Sequence, residues 1–399
     1  MSFNPWEGDY FNNPYPILKQ LQQSESVHWS EVFQGWIVTS YDLVKQCCVS
    51  PDLSSKKLDF LFNRLSDEMK FLMKPVIDNL KHWAIMVDGD EHREIRPLLN
   101  KAFSPNLSLM MEPFIQECSK ELINDIDFTR EFDLVEKLSY PLPALVIAKM
   151  FGVPSEKIDW FKGVSRDISN LFNLASKPDI HCAQQGLKAI NELDKVLAEI
   201  IQQRRTVPQE DFISKIVCDK ENRLDQQKLI STLTLLLIAG HETTTNLISN
   251  GVWLLANHPD QLDDLRRNPD LIESAVEEIL RYESPVQNLA RVALSDFDLG
   301  GMLIRKGDKV VPFLNAANRD PQAFEDPDTF DIRRKSNRHL SFGFGKHLCV
   351  GSHLARLEMK IVLQNLLGRL ADSSVSADAE WAQIVAFRQM SSLKIVIKT

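Results

Sequence analysis

The sequence predicts a mostly α-helical chain with small β-sheets held to its flanks, folded as a single unit over residues 1–399. Three observations carry that expectation. Apolar residues recur with helical periodicity through most of residues 41–285, and again over 350–370, with Pro and Gly at the breaks. Strand-like pieces rich in aromatic and β-branched residues cluster toward the two ends, at 26–40, 290–315 and 381–398. No repeat, low-complexity tract or long Gly/Ser linker marks a boundary. Interleaved β pieces from both ends favour one compact unit over separable domains.

Taken in order, "PYPILKQLQQ" reads as a short helix, and "VHWSEVFQGWIVTSY" as two strands around Gly35. Helices then dominate. "LARVALSDFDLGGMLIRKGDKVVPFL" returns to strands, and an irregular Asp/Pro/Arg-rich stretch, "ANRDPQAFEDPDTFDIRR", follows. A helix resumes at residue 350, and the last strand region begins at 381.

The chain carries 46 Lys+Arg against 55 Asp+Glu, a formal net charge of −9, which argues against nucleic acid as a partner. The start, "MSFNPWEGDYFNNPYP", has no basic segment followed by an apolar run. The longest apolar runs, such as "LTLLLIAG", fall well short of the roughly 18 residues a membrane span needs. The expectation is a cytoplasmic protein without a membrane anchor.

Six cysteines stand at 47, 48, 118, 182, 218 and 349, with no paired spacing that suggests zinc or a disulfide framework. Five lie in apolar-periodic contexts and read as small buried hydrophobes. Cys349 differs. It sits in "FGFGKHLCVG", where three of the chain's 15 glycines surround one thiol. The glycines at 343, 345 and 351 permit positive φ and a flat ligand close to the backbone, while Phe342 and Phe344 would dry the site. The helix that follows offers N–H groups to a thiolate, which suits a soft metal. A buried structural cysteine in a glycine-rich turn is the alternative for the bare spacing.

The fuller pattern resembles the cysteine loop of the cytochrome P450 family, F-x-x-G-x-x-x-C-x-G, in its soluble bacterial form. Phe342, Gly345, Cys349 and Gly351 match it, with His347 alongside. The resemblance implies haem b (iron protoporphyrin IX) with Cys349 as the thiolate ligand of its iron. It also implies the family's single-domain fold, with haem between this loop and an oxygen-activation helix.

Three further stretches agree in order and spacing. "LLLIAGHETTTNLIS" is an apolar helix interrupted by polar residues. A buried Glu242 costs several kcal/mol unless it is paired or protonated, and threonines can bend a helix by bonding to the i−4 carbonyl. On its own the stretch is either a proton relay or a capped polar patch. It resembles the family's A-G-x-[DE]-T motif at Ala239, Gly240, Glu242 and Thr243. That implies room for dioxygen at Gly240, a water-holding hydroxyl on Thr243 and proton entry through Glu242. "EEILRYESP" places Glu278 and Arg281 on one helical face and resembles the family's buried E-x-x-R pair. Thr329 stands where many members have the third partner, an Arg, so Arg333 or Arg334 is expected to serve. "DGDEHREIRPLLNKAFSP" resembles the helix whose His and Arg bind a haem propionate, here His92 and Arg96, while Arg291 and His347 fill the other propionate positions.

The function so implied is monooxygenation. One atom of dioxygen enters a lipophilic small molecule by hydroxylation or epoxidation, of the kind found in secondary metabolism. Two electrons arrive from a ferredoxin or flavodoxin with an NAD(P)H-dependent reductase. Arg338 and Lys346, with Arg93 and Lys101, would form a basic docking patch. A peroxide-driven enzyme and a non-catalytic haem-thiolate sensor are the alternatives, and the Glu242–Thr243 pair disfavours both. Residues 60–87, the helices near 165–182, Leu235, Ala239, residues 286–290 and Met390 are expected at the substrate, with polar contacts from Asn63, Arg64 and Asn288.

Overall fold

The computed structural model describes residues 3–58, 62, 65–153, 157–171, 179–370 and 374–398. The chain forms two compact units: Met1–Leu53 with Ile115–Leu142 and Thr243–Thr399, and Ser54–Phe114 with Pro143–Glu242.

The first unit carries the sheets. It begins with helix α1 (Tyr15–Ser24), strands β1 (Val27–Ser30) and β2 (Gly35–Val38), and helix α2 (Tyr41–Val49). Strands β3 (Leu53–Ser54), β4 (Phe132–Asp133), β5 (Arg291–Ala293), β6 (Phe297–Leu299), β7 (Met302–Ile304), β8 (Lys309–Pro312), β9 (Ser374–Trp381) and β10 (Met390–Lys398) follow. They build a five-stranded sheet β1-β2-β8-β5-β3, a three-stranded sheet β4-β10-β9 and the hairpin β6-β7. Joining β2 in parallel to β8 ties residues 36–38 to 310–312, so the N-terminal hairpin and the later β region share one sheet. Both faces of the central strands are covered: Val38 and Val310 join Val27, Tyr41, Leu53, Ala293 and Leu314 in one cluster, and their neighbours Ile37 and Val311 join Phe3, Leu18, Leu21 and Phe313 in another.

Helices of the second unit are α3 (Asp67–Leu72), α4 (Lys74–Leu80), α5 (Gly89–Ala102), α8 (Ile158–Asn170), α9 (Ile180–Thr206) and α10 (Phe212–Val217). Helices α6 (Pro105–Asn124), α7 (Pro141–Met150) and α11 (Gln226–Asn257) pass from one unit into the other along the chain. Returning to the first unit, α12 (Pro259–Arg267), α13 (Ile272–Tyr282), α14 (Leu314–Ala317) and α15 (Ser352–Leu366) complete the helices. In α13 the apolar residues Ala275, Val276, Ile279 and Leu280 recur at helical spacing, and all are buried.

Three expectations need correction. Strand β9 begins at Ser374, ahead of the expected 381, and its Ser/Ala-rich sequence "SVSADAEW" carries little β-propensity; pairing with β10 along its length makes it a strand. Cys47, Cys48 and Cys118 are buried as expected, but Cys218 is exposed and Cys182 half-exposed. Gly351 does not need positive φ: it caps α15 at φ −85.

Candidate active site

The cysteine loop is anchored from behind. Glu278 and Arg281 on α13 are both 0 % exposed and join in a fork, Arg281 Nε to Oε2 and Nη2 to Oε1, each at 2.8 Å. Arg281 spends its remaining donors on the carbonyls of Asn318, Pro327 and Thr329. Arg334 donates to both Glu278 oxygens at 3.2 and 3.1 Å, and Asn337 Nδ2 adds a bond at 3.1 Å. Arg334 is therefore the third partner, whereas Arg333 pairs with Asp264. Thr329 contributes its carbonyl to Arg281 and Arg334.

This network reaches the loop itself. Ser341 Oγ donates to the Leu280 carbonyl at 2.6 Å, and Asn318 bonds both Ser341 Oγ and the Leu340 N–H. Phe342 lies under the Arg356 guanidinium, 4.5 Å from its ring centroid. Arg356 and His339 both bond Glu277. Burial alone would raise the Glu277 carboxyl, but those hydrogen bonds outweigh it and bring it down to about 2.

Beyond this root the loop turns outward. Gly343 and Gly345 have φ +72 and +74, the left-handed region that glycine tolerates. A Cβ on Gly345 would also stand 2.7 Å from Val49 Cγ1, so a side chain there would have to displace Val49. The Cys349 N–H bonds the Phe342 carbonyl at 2.9 Å, folding the loop so that the thiol stands exposed three residues before α15. Phe344 is exposed and does not dry the site; the Lys45 ammonium sits over its ring. Arg291 is buried near Cys48, whose carbonyl is also close to Gly345. His347 closes a short 3₁₀ turn, Gly345–His347, in the same loop.

Helix α11 is buried on nearly all sides. From Leu229 to Val252 only Ala239, Gly240 and Thr243 are not buried. Spacings of three and four put these residues on one helical face, so the helix opens a single window, at the motif the sequence singled out. Gly240 has a packing role as well, since a Cβ there would lie 2.5 Å from Ile147 Cδ1 on α7. Glu242 is 6 % exposed, and its Oε1 has no hydrogen-bond partner among the described residues. Burial pushes its carboxyl up to about 7, against smaller opposing influences from Ser169 and Arg166 on α8.

His92 is buried on α5, one turn before the half-buried Arg96, whose Nε bonds Asn100 Oδ1. Arg93 and Lys101 on the same helix are exposed and pair with Asp90 and Asp219. Asn288 Nδ2 donates to the Val385 carbonyl at 2.7 Å. Leu235 and Met390 are buried, while Asn63 and Arg64 lie outside the described residues. Sequence reasoning missed Ser165, Ser169 and Asn337, single polar residues with no local pattern to mark them.

These residues fit a haem. Cys349 belongs to no group of three or more His, Cys, Asp or Glu among the described residues that could hold a bare ion. A metal bound at this thiol must bring its other ligands with it, as a porphyrin does.

The chain belongs to the cytochrome P450 family. The family model for cytochrome P450 matches residues 61–378. The biotin biosynthesis cytochrome P450 of Bacillus subtilis is 35% identical over 404 residues, covering 98% of both chains. Among solved structures, that of P450BioI in complex with a hexadec-9Z-enoic acid ligated acyl carrier protein superposes with TM-score 0.90 at 33% identity, over 98% of this chain and 100% of that one. The testosterone complex of CYP109E1 from Bacillus megaterium gives TM-score 0.83 at 35% identity, over 97% and 100%. The fold is thus that of the bacterial cytochromes P450, and the chain is a haem-dependent monooxygenase that uses dioxygen and a redox partner. Among the described residues no helix is long and apolar enough to cross a membrane.

Proposed function

We propose that this enzyme binds haem b through Cys349 and oxygenates a lipophilic small molecule, working in the cytoplasm as one domain with a ferredoxin or flavodoxin and its NAD(P)H-dependent reductase. The observation that carries the reading is the single window in α11, which exposes Ala239, Gly240 and Thr243 beside a buried, protonatable Glu242.

When bound, haem would supply the oxygen activation and electron storage that side chains lack. Cys349 would ligate its iron, the Gly345 backbone would lie against the ring, and His92, Arg96, Arg291 and His347 would meet its propionates. Phe342 would stay packed under Arg356 beside the group. Ala239 offers a small apolar surface, and the Thr243 hydroxyl holds a water in the window. Glu242 keeps a proton near neutral pH because burial disfavours its charge, and it can therefore give that proton up to the Thr243 side and be reloaded. A peroxide-driven enzyme would have no use for this arrangement.

A lipophilic substrate is supported by the apolar window and by the relatives, one bound to a fatty acyl carrier protein and one to testosterone. A screen for substrates that shift the haem absorption would identify candidates. With one in hand, Thr243→Ala should still consume NAD(P)H while product per NAD(P)H falls and hydrogen peroxide rises. Unchanged coupling would show that proton handling does not pass through Thr243.

A further inference from the structure

Asn250 continues the face of α11 that Thr243 opens: seven residues on, it comes round to the same side of the helix about 10 Å further along. Unlike Thr243 it is wholly buried, and two backbone segments lie against it. Its Nδ2 donates to the carbonyls of Glu283 and Arg388 at 3.3 and 3.1 Å. Those segments are laced together. The Arg388 N–H bonds the Pro285 carbonyl and the Gln287 N–H bonds the Ala386 carbonyl, each at 2.9 Å, and Asn288 reaches Val385. Residues 283–288 and 385–388 therefore stand as a wall at one end of the Thr243 face.

Arg388 holds that wall from outside. It is 5 % exposed, and its Nε donates to Glu283 Oε2 at 2.9 Å. Nη2 donates to the Asn12 carbonyl at 2.8 Å and Nη1 to the Phe11 carbonyl. The guanidinium carbon lies 3.3 Å from the Trp381 ring centroid. A planar fork makes all these contacts at once, which a lysine ammonium, a single point charge, does not. A turn presents the two carbonyls: the N–H groups of Asn12 and Asn13 bond the Asp9 carbonyl at 3.1 and 2.9 Å, and Asn12 Nδ2 bonds Asp9 Oδ1. Through Arg388 the N-terminal segment thus reaches the wall over α11.

We infer that Arg388 is a positioning residue for substrate specificity. Without touching the substrate, it sets the wall formed by residues 283–288 and 385–388, and with it the length of ligand that fits along α11 past Thr243. Phe11 and Asn12 are its outer anchor. Apolar contacts would bury this turn equally well, but they are non-directional, whereas a fork of charge-assisted hydrogen bonds fixes where the backbone stands. The inference rests on the proposed substrate site over the Thr243 face of α11, so its test must separate the two claims.

N-alkylimidazoles of increasing chain length, which ligate haem iron through the imidazole nitrogen, supply a readout independent of turnover. Their dissociation constants are read from the Soret shift of the full-length holoenzyme. In the wild type each added methylene should tighten binding by up to about fourfold until the chain meets the wall, after which affinity stops rising. Arg388→Lys keeps a charge beside Glu283 but loses the fork. It should move that limit outward by at least one methylene, while unsubstituted imidazole binds within about twofold of the wild type. Asp9→Ala, an exposed change that loosens the turn presenting Phe11 and Asn12, should move the limit the same way by less, and it decides the matter if Arg388→Lys does not fold. A limit that stays where it was in the folded variants overturns the inference and leaves the proposed site standing. A wild-type series whose affinity rises without limit shows that no wall is there and overturns it too. If imidazole shifts no band in the wild type, the haem reading falls and this inference with it.

Discussion

Two buried glutamates, Glu278 on α13 and Glu242 on α11, divide the chemistry of this molecule between them. Glu278 receives hydrogen bonds from Arg281, Arg334, Asn337 and the Asp331 N–H. Glu242 has one oxygen with no partner among the described residues. The same side chain, buried in both places, is saturated in one and left with an unpartnered oxygen in the other. A buried carboxylate with every oxygen hydrogen-bonded ties several segments together, so it holds structure. An under-satisfied carboxyl sits close to its own titration point, so it can pass a proton.

Glu→Gln at each position breaks that symmetry in opposite directions. The larger effect is expected at Glu278: Glu278→Gln strands the wholly buried Arg281 and should cost on the order of 3–5 kcal/mol of stability, read from the shift of the denaturant midpoint. Because Ser341 and Asn318 link this network to the cysteine loop, haem retention should fall with it. A neutral substitution would mean that the arginines pair adequately with backbone carbonyls alone.

Glu242→Gln should act the other way. The folded-state carboxyl is raised from 4.5 to about 7, so the unfolded chain ionises first as pH rises. Wild-type stability therefore declines between those values, by up to roughly 3 kcal/mol once both are passed, whereas Glu242→Gln carries no such term. The variant should gain on the wild type as pH climbs toward 8, while its turnover slows. A stability difference independent of pH would show that Glu242 is not held protonated by burial.

The contrast also marks what the sequence discloses. The positive φ at Gly343 and Gly345 was legible, because a turn in the left-handed region calls for glycine. The A-G-H-E-T stretch stood out because polar residues interrupt an apolar helix. Which arginine completes the Glu278 pair was not legible: Arg333 and Arg334 are neighbours, and only the path of the loop turns one toward Asp264 and the other toward Glu278. Ser165 and Ser169 were invisible for a related reason, since a serine on an amphipathic helix carries meaning only once its facing helix is known. Pairing across the surface was not legible either: Arg93 and Lys101, two of the cations expected at a docking patch, meet Asp90 and Asp219.

The most direct test of the whole account is the absorption spectrum of the reduced, carbon-monoxide-bound protein. The wild type should show the red-shifted Soret band of a thiolate-ligated haem. Cys349→Ser should lose it, and Cys218→Ser, which alters another exposed thiol, should keep it. A thiolate spectrum surviving in Cys349→Ser would contradict the assignment at its root.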